Sequence, residues 1–160
     1  MRLTVLAMSA LSLLFALPGY AQERVHMPAT SWSVVPPAGF VLPAAAMLPM
    51  FEHPSGATMI ILDASPERID MAKLGTVGET QGEGDKASLV KELREITVGG
   101  RRGVLKKEFM TVRKTSVMTV VIEGEVSGGV IVAAVPDAAL KVVSLADVEA
   151  SLMSAIEVGR

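Results

Sequence analysis

The chain has 160 residues, no cysteine, and 15 basic against 17 acidic side chains, for a formal net charge of −2. The missing cysteine excludes disulfides, thiolate chemistry and lipid attachment through a cysteine. The near-neutral charge and an aromatic content of 4% argue against nucleic-acid binding, which draws on a basic excess or on stacking platforms.

Residues 1–21 carry Arg2, an apolar run from Leu3 to Leu17, then Pro18, Gly19 and small Ala21. This is the layout of a secretory signal peptide cleaved near Ala21, and the run is too short for a membrane anchor of about 20 apolar residues. The sequence therefore predicts an exported protein, periplasmic or secreted, with no spanning segment in its mature part. Residues 22–31 have no hydrophobic period and read as a flexible lead, leaving 32–160 as one globular domain of ordinary size.

In that domain, Trp32 to Val35 alternates as a strand and breaks at Pro36, Pro37 and Gly39. Leu48 to Glu52 and Ala57 to Asp63 read as a hairpin joined by "HPSG", with Pro49 placing the first strand at a sheet edge. Ser65 and Pro66 offer the start of a short helix ending near Gly75. The acidic, Gly-rich stretch 75–85 reads as an exposed loop, and Asp85 can cap a second helical segment in "KASLVKEL" that gives way to strand near Glu92. Four β-rich runs follow at 92–98, 104–112, 115–123 and 129–135, an antiparallel meander. Ser144 and Asp147 resemble a capping box, with Val148, Leu152 and Ile156 at helical spacing.

Val117 and Val121 point opposite to Met118, Val120 and Ile122, so the meander is apolar on both faces and requires cover on both. The expected fold class is α+β, an α/β/α sandwich around a central antiparallel sheet of about six to seven strands, closed by a C-terminal helix.

The order of these features, an aromatic before "PPAGF", then "FEHPSGATMIIL", a helix, "ITVGGRRGVL", a meander and a final helix, resembles the PsbP-like superfamily. That grouping also holds a Ran-binding nuclear import factor and small bacterial proteins of unassigned role. The resemblance spans about Trp32 to Ile156 and rests on turn motifs, which carry no catalysis. It implies a non-enzymatic binding or assembly role and transfers no site residues.

Three stretches remain as candidate sites. "GGRRG" precedes a strand, whereas a phosphate loop feeds a helix, so it reads first as a hairpin turn. Yet Arg101, Arg102, Lys106, Lys107, Arg113 and Lys114 fall within fourteen positions, a candidate patch for an acidic protein partner or anionic headgroups of the envelope. Met47, Met50 and His53 offer thioether and imidazole ligands suited to Cu(I), although methionines more often fill cores. His53 beside Glu52, with Asp63 closing the paired strand, is the one arrangement that would suit a small hydrolase. No Gly-x-Ser-x-Gly elbow is present, and no cofactor motif is recognisable. Glu79, Glu83 and Asp85 lack the ligand alternation of a calcium loop. The leading expectation is a binding or accessory protein; the alternative is hydrolysis or metal handling around His53.

Overall fold

A computed structural model describes residues 23–44, 48–64, 68–124 and 127–158. Its main body is a seven-stranded antiparallel sheet. Naming strands in chain order, β1 is Val25–His26, β2 Trp32–Val34, β3 Met50–Glu52, β4 Thr58–Ala64, β5 Thr80–Gln81 and β6 Ser88–Val98. The remainder are β7 Arg101–Met110, β8 Thr115–Ile122, β9 Gly128–Pro136 and β10 Ile156–Glu157, with one helix, α1, at Leu145–Met153. The large sheet runs β3-β4-β9-β8-β7-β6-β5, and β1-β2-β10 form a small second sheet.

The meander and the hairpin form as their turn residues dictate. Gly99 and Gly100 have φ of 57° and 80°, the pair of positive values that a two-residue hairpin turn matching strand twist requires. Pro49 leads into β3, which occupies one edge of the sheet as its missing donor demands.

The α/β/α sandwich does not form: among the described residues α1 is the one α-helix. It covers a single face of the large sheet together with the small sheet, and the core lies between them. Met59, Ile61, Leu105, Met118, Val120, Ile122, Ile131 and Ala133 point inward there. Ser144 accepts from the Asp147 amide and starts α1 as expected, but the helix ends at Met153, and Ile156 pairs with Ser33 in β10.

The opposite face has no helical layer. Residues 68–79, the described part of the connection between β4 and β5, form a strap against it; β4 and β5 sit five strand positions apart, about 24 Å. A helix of the fifteen intervening residues would rise only about 22 Å, so a helix throughout would barely span the gap. The helix expected before Gly75 is reduced to a 3-10 turn, Met71–Leu74, capped by Asp70; Ser65 and Pro66 lie outside the described residues. The strap covers part of the face, and Val104 beneath it is fully buried while Val117 and Val121 stay half-buried.

Three further readings change. The second helical segment is a 3-10 turn, Gly84–Lys86, followed at once by β6. The stretch 75–85 contributes β5 at the other sheet edge. The lead is packed: Val25 and His26 pair with Val34 and Ser33, and Met27 is fully buried.

Trp32 sets the spacing of the two sheets. Its ring is fully buried against the backbone of Gly129 in β9, where an added Cβ would lie 2.6 Å from the ring. Its indole N–H donates to the Gly128 carbonyl at 3.4 Å. Replacing Gly129 by Ala should force the ring outward and destabilise the fold by about 1–3 kcal/mol. Urea denaturation checks this through a lowered midpoint, and an unchanged midpoint would mean that the ring moves freely.

Candidate functional site

The two-residue turn at Gly99–Gly100 fixes the register of the β6–β7 hairpin. Counting outward from it sets Val98 against Arg101, Thr97 against Arg102 and Lys107 against Glu92. Alternation along β7 then divides its cations between the two faces of the sheet. Arg101 and Lys107 lie on the inner face, and Arg102 and Lys106 on the outer.

Three of these four cations meet a different peripheral element directly, and Arg102 reaches a fourth through Glu123. Arg101 pairs with Glu157 of β10 and stands 6.0 Å from the Trp32 ring centre. Arg102 forks between Glu95 and Glu123, and Glu123 also accepts the Ile69 amide of the strap at 2.8 Å. Lys106 lies 3.0 Å from Glu108 and donates to the Gln81 side chain of β5 at 2.5 Å. Lys107 reaches Glu92 at 2.9 Å and Glu149 of α1 at 2.7 Å.

Under α1 the charges close into a ring. Arg94 contacts the other oxygens of the same two carboxylates, Glu92 at 2.6 Å and Glu149 at 2.7 Å. Two cations thus alternate with two anions, and the Lys107 and Arg94 hydrogen bonds lower the Glu92 pKa from its ordinary 4.5. Lys107 is raised, chiefly by its bond to Glu149, and Arg94 chiefly by Glu92.

The remaining cations stand in the turn between β7 and β8, separated from Gly99–Gly100 by the length of β7, about 30 Å. Arg113 pairs with Asp85, lowering the carboxyl pKa. Lys114 occupies the turn with φ 46° and makes no ion pair among the described residues. The six cations therefore lie on two faces and at two ends of one hairpin. Glu108 is the one carboxylate partner visible within the cationic run itself; the others lie outside it, although the register counted from Gly99–Gly100 sets Glu92 against Lys107.

The candidate metal and hydrolase groups are separated. Met50 pairs with Ile60 on the outer face. His53, three residues on, packs inward on Phe40 with ring centres 5.4 Å apart, and its Nδ1 accepts from the Ser55 amide at 3.1 Å. Met47 lies outside the described residues. Asp63 accepts from the Ser31 amide at 2.9 Å, five residues along β4 from the end that faces Glu52, about 17 Å. His53 and Asp63 thus do not share a cleft. Among the described residues no group of three or more His, Asp or Glu could hold a metal, and no helix is long and apolar enough to cross a membrane.

The architecture has a counterpart among solved structures. The solution structure of cyanobacterial PsbP (CyanoP) from Synechocystis sp. PCC 6803 superposes with a TM-score of 0.53, covering 84% of this chain and 91% of that one at 11% identity. The chain has the PsbP-like fold. No protein-family model and no curated protein sequence matches it. At this identity the PsbP-like likeness concerns the arrangement of the sheet and helix, and the charged hairpin is described from this chain's own geometry.

The Glu92 shift carries a pH signature. Because its folded-state pKa is lowered, its contribution is fully present above about pH 4.5 and is lost as the pH falls through the lowered value. Urea midpoints of the native protein and Glu92→Gln should therefore differ at pH 7 and converge on acidification. A gap that persists at the lowest pH would place the stabilisation elsewhere.

Proposed function

We propose that this is an exported accessory protein of the bacterial envelope, non-enzymatic, that works by contact with a protein partner. The leader pattern of residues 1–21 supports export, and the PsbP-like fold supports a binding role. The observation that carries the choice of partner is the pairing of the hairpin cations. Arg101, Arg102, Lys106, Lys107 and Arg113 each lie within ion-pair distance of a carboxylate. The surface is then a mosaic of both signs, which suits a complementary protein better than a uniformly anionic lipid layer. Arg102 and Arg113 keep the most exposure, 41% and 52% of their side chains, and are the natural contact points.

The test uses protein recovered from an exporting host, where mass spectrometry should show a chain beginning near Gln22. Crosslinking in the envelope fraction should give a discrete heteromeric species that weakens when Arg102 and Arg113 are both changed to Glu. The same protein should not sediment with phosphatidylglycerol vesicles at physiological salt. Vesicle binding without a crosslinked partner, or an intact Met1 on a cytoplasmic chain, would contradict the reading.

A further inference from the structure

Strand β6 departs from regular pairing at one point. Val90 pairs with Glu108 and Glu92 with Lys107, so Lys91 is an extra residue without a partner across the ladder. A bulge of this kind re-aims side chains: Lys91 and Glu92, which alternation would send to opposite faces, both project from the α1 side of the sheet. Glu92 enters the charge ring under α1. Lys91 stands at the mouth of a separate cavity of 240 Å³.

That cavity lies between the sheet and the first turn of α1, and its lining includes Phe109, Met118 and Leu145. Met118 is buried, while Leu145, an apolar side chain at the helix start, leaves 37% of its surface exposed. The other charges at the wall are engaged. Lys107 is held by Glu92 and Glu149, and Glu108, opposite Val117 in the ladder, turns its carboxylate to the outer face, where it meets Lys106 and the Ser88 hydroxyl. Lys91 is exposed and makes no ion pair among the described residues. The cavity is thus an apolar slot with one unengaged ammonium at its rim.

We infer that this cavity binds a monomeric acyl carboxylate of medium length, with its chain against Phe109, Met118 and Leu145 and its carboxylate on Lys91. At the packing density of protein interiors the space accepts about 180 Å³ of molecular volume, roughly an eight- to ten-carbon chain. Each methylene withdrawn from water tightens binding about fourfold, so affinity climbs with chain length until the slot is filled. The carboxylate end supplies selectivity through one solvent-exposed ion pair, an effect of about three- to fivefold.

The experiment titrates the mature protein with hexanoate, decanoate, decanol and decylamine below their micellar concentrations, following the methyl resonances of Met118 and Leu145 by NMR. Decanoate should move both methyls, bind more tightly than hexanoate, and bind more tightly than decylamine. Lys91→Ala changes an exposed side chain and should weaken decanoate about three- to fivefold while leaving decanol unchanged. Leu145→Gln should weaken both decanoate and decanol. Methyls that do not move, equal affinity for decanoate and decylamine, or decanoate binding unaffected by Lys91→Ala would overturn the inference. So would binding to phosphatidylglycerol vesicles with no response to monomeric decanoate.

Discussion

Strand β7 is where the periphery of this molecule is fastened. The large sheet supplies a platform; α1 packs on it through the fully buried Val148 and Leu152, whereas β10, β5 and the strap are short pieces that bury little apolar surface of their own. A nine-residue helix is marginal in isolation, and two-residue strands are weaker still. Arg101, Lys106 and Lys107 give β10, β5 and α1 a polar attachment to β7, and Arg102 holds Glu123, which accepts from the strap. Single exposed pairs stabilise little, but linked ones act together: the ring of Glu92, Lys107, Glu149 and Arg94 fixes the face of α1 that meets the sheet.

That role changes how the cationic run bears on function. A row of unpaired cations would make a positive field able to gather any anion, whereas paired ones leave a surface of mixed sign that discriminates by pattern. The same pairing limits where a partner can bind without loosening the fold. Arg101 and Lys107 are engaged on the inner side by β10 and α1, whereas Arg102 and Arg113, although paired with Glu95, Glu123 and Asp85, keep more of their side chains exposed for contact. Lys91, released from the ladder by the bulge, belongs to neither group and faces an apolar slot.

Much of the sheet was legible in the sequence because turn chemistry wrote it. Pro49 marked the edge strand, Gly99–Gly100 marked the central hairpin, and Ser144 marked the start of α1. The misread segments have identifiable causes. The bulge at Lys91 shifts the alternation of β6 by one, so Leu89, Val90, Leu93 and Ile96 fall at spacings that mimic a helix, and cross-strand pairing then overrides that local preference. The apolar outer face at Val117 and Val121 calls for a helical layer, yet an irregular strap does part of that covering, and irregular chain has no period to read. The candidate surface was legible as a set of cations but not as a set of pairs. Glu149 and Glu157 lie more than forty residues from their partners in the chain, and nothing local announces them.

If β7 fastens separate elements, then breaking one attachment should loosen one element. Backbone hydrogen exchange of Lys107→Ala and Arg102→Ala measures this directly. Exchange should quicken in α1 for Lys107→Ala and in the strap around Ile69 for Arg102→Ala, with β8 and β9 protected as before in both. The same region loosening in both variants, or no local change in either, would contradict that role of β7.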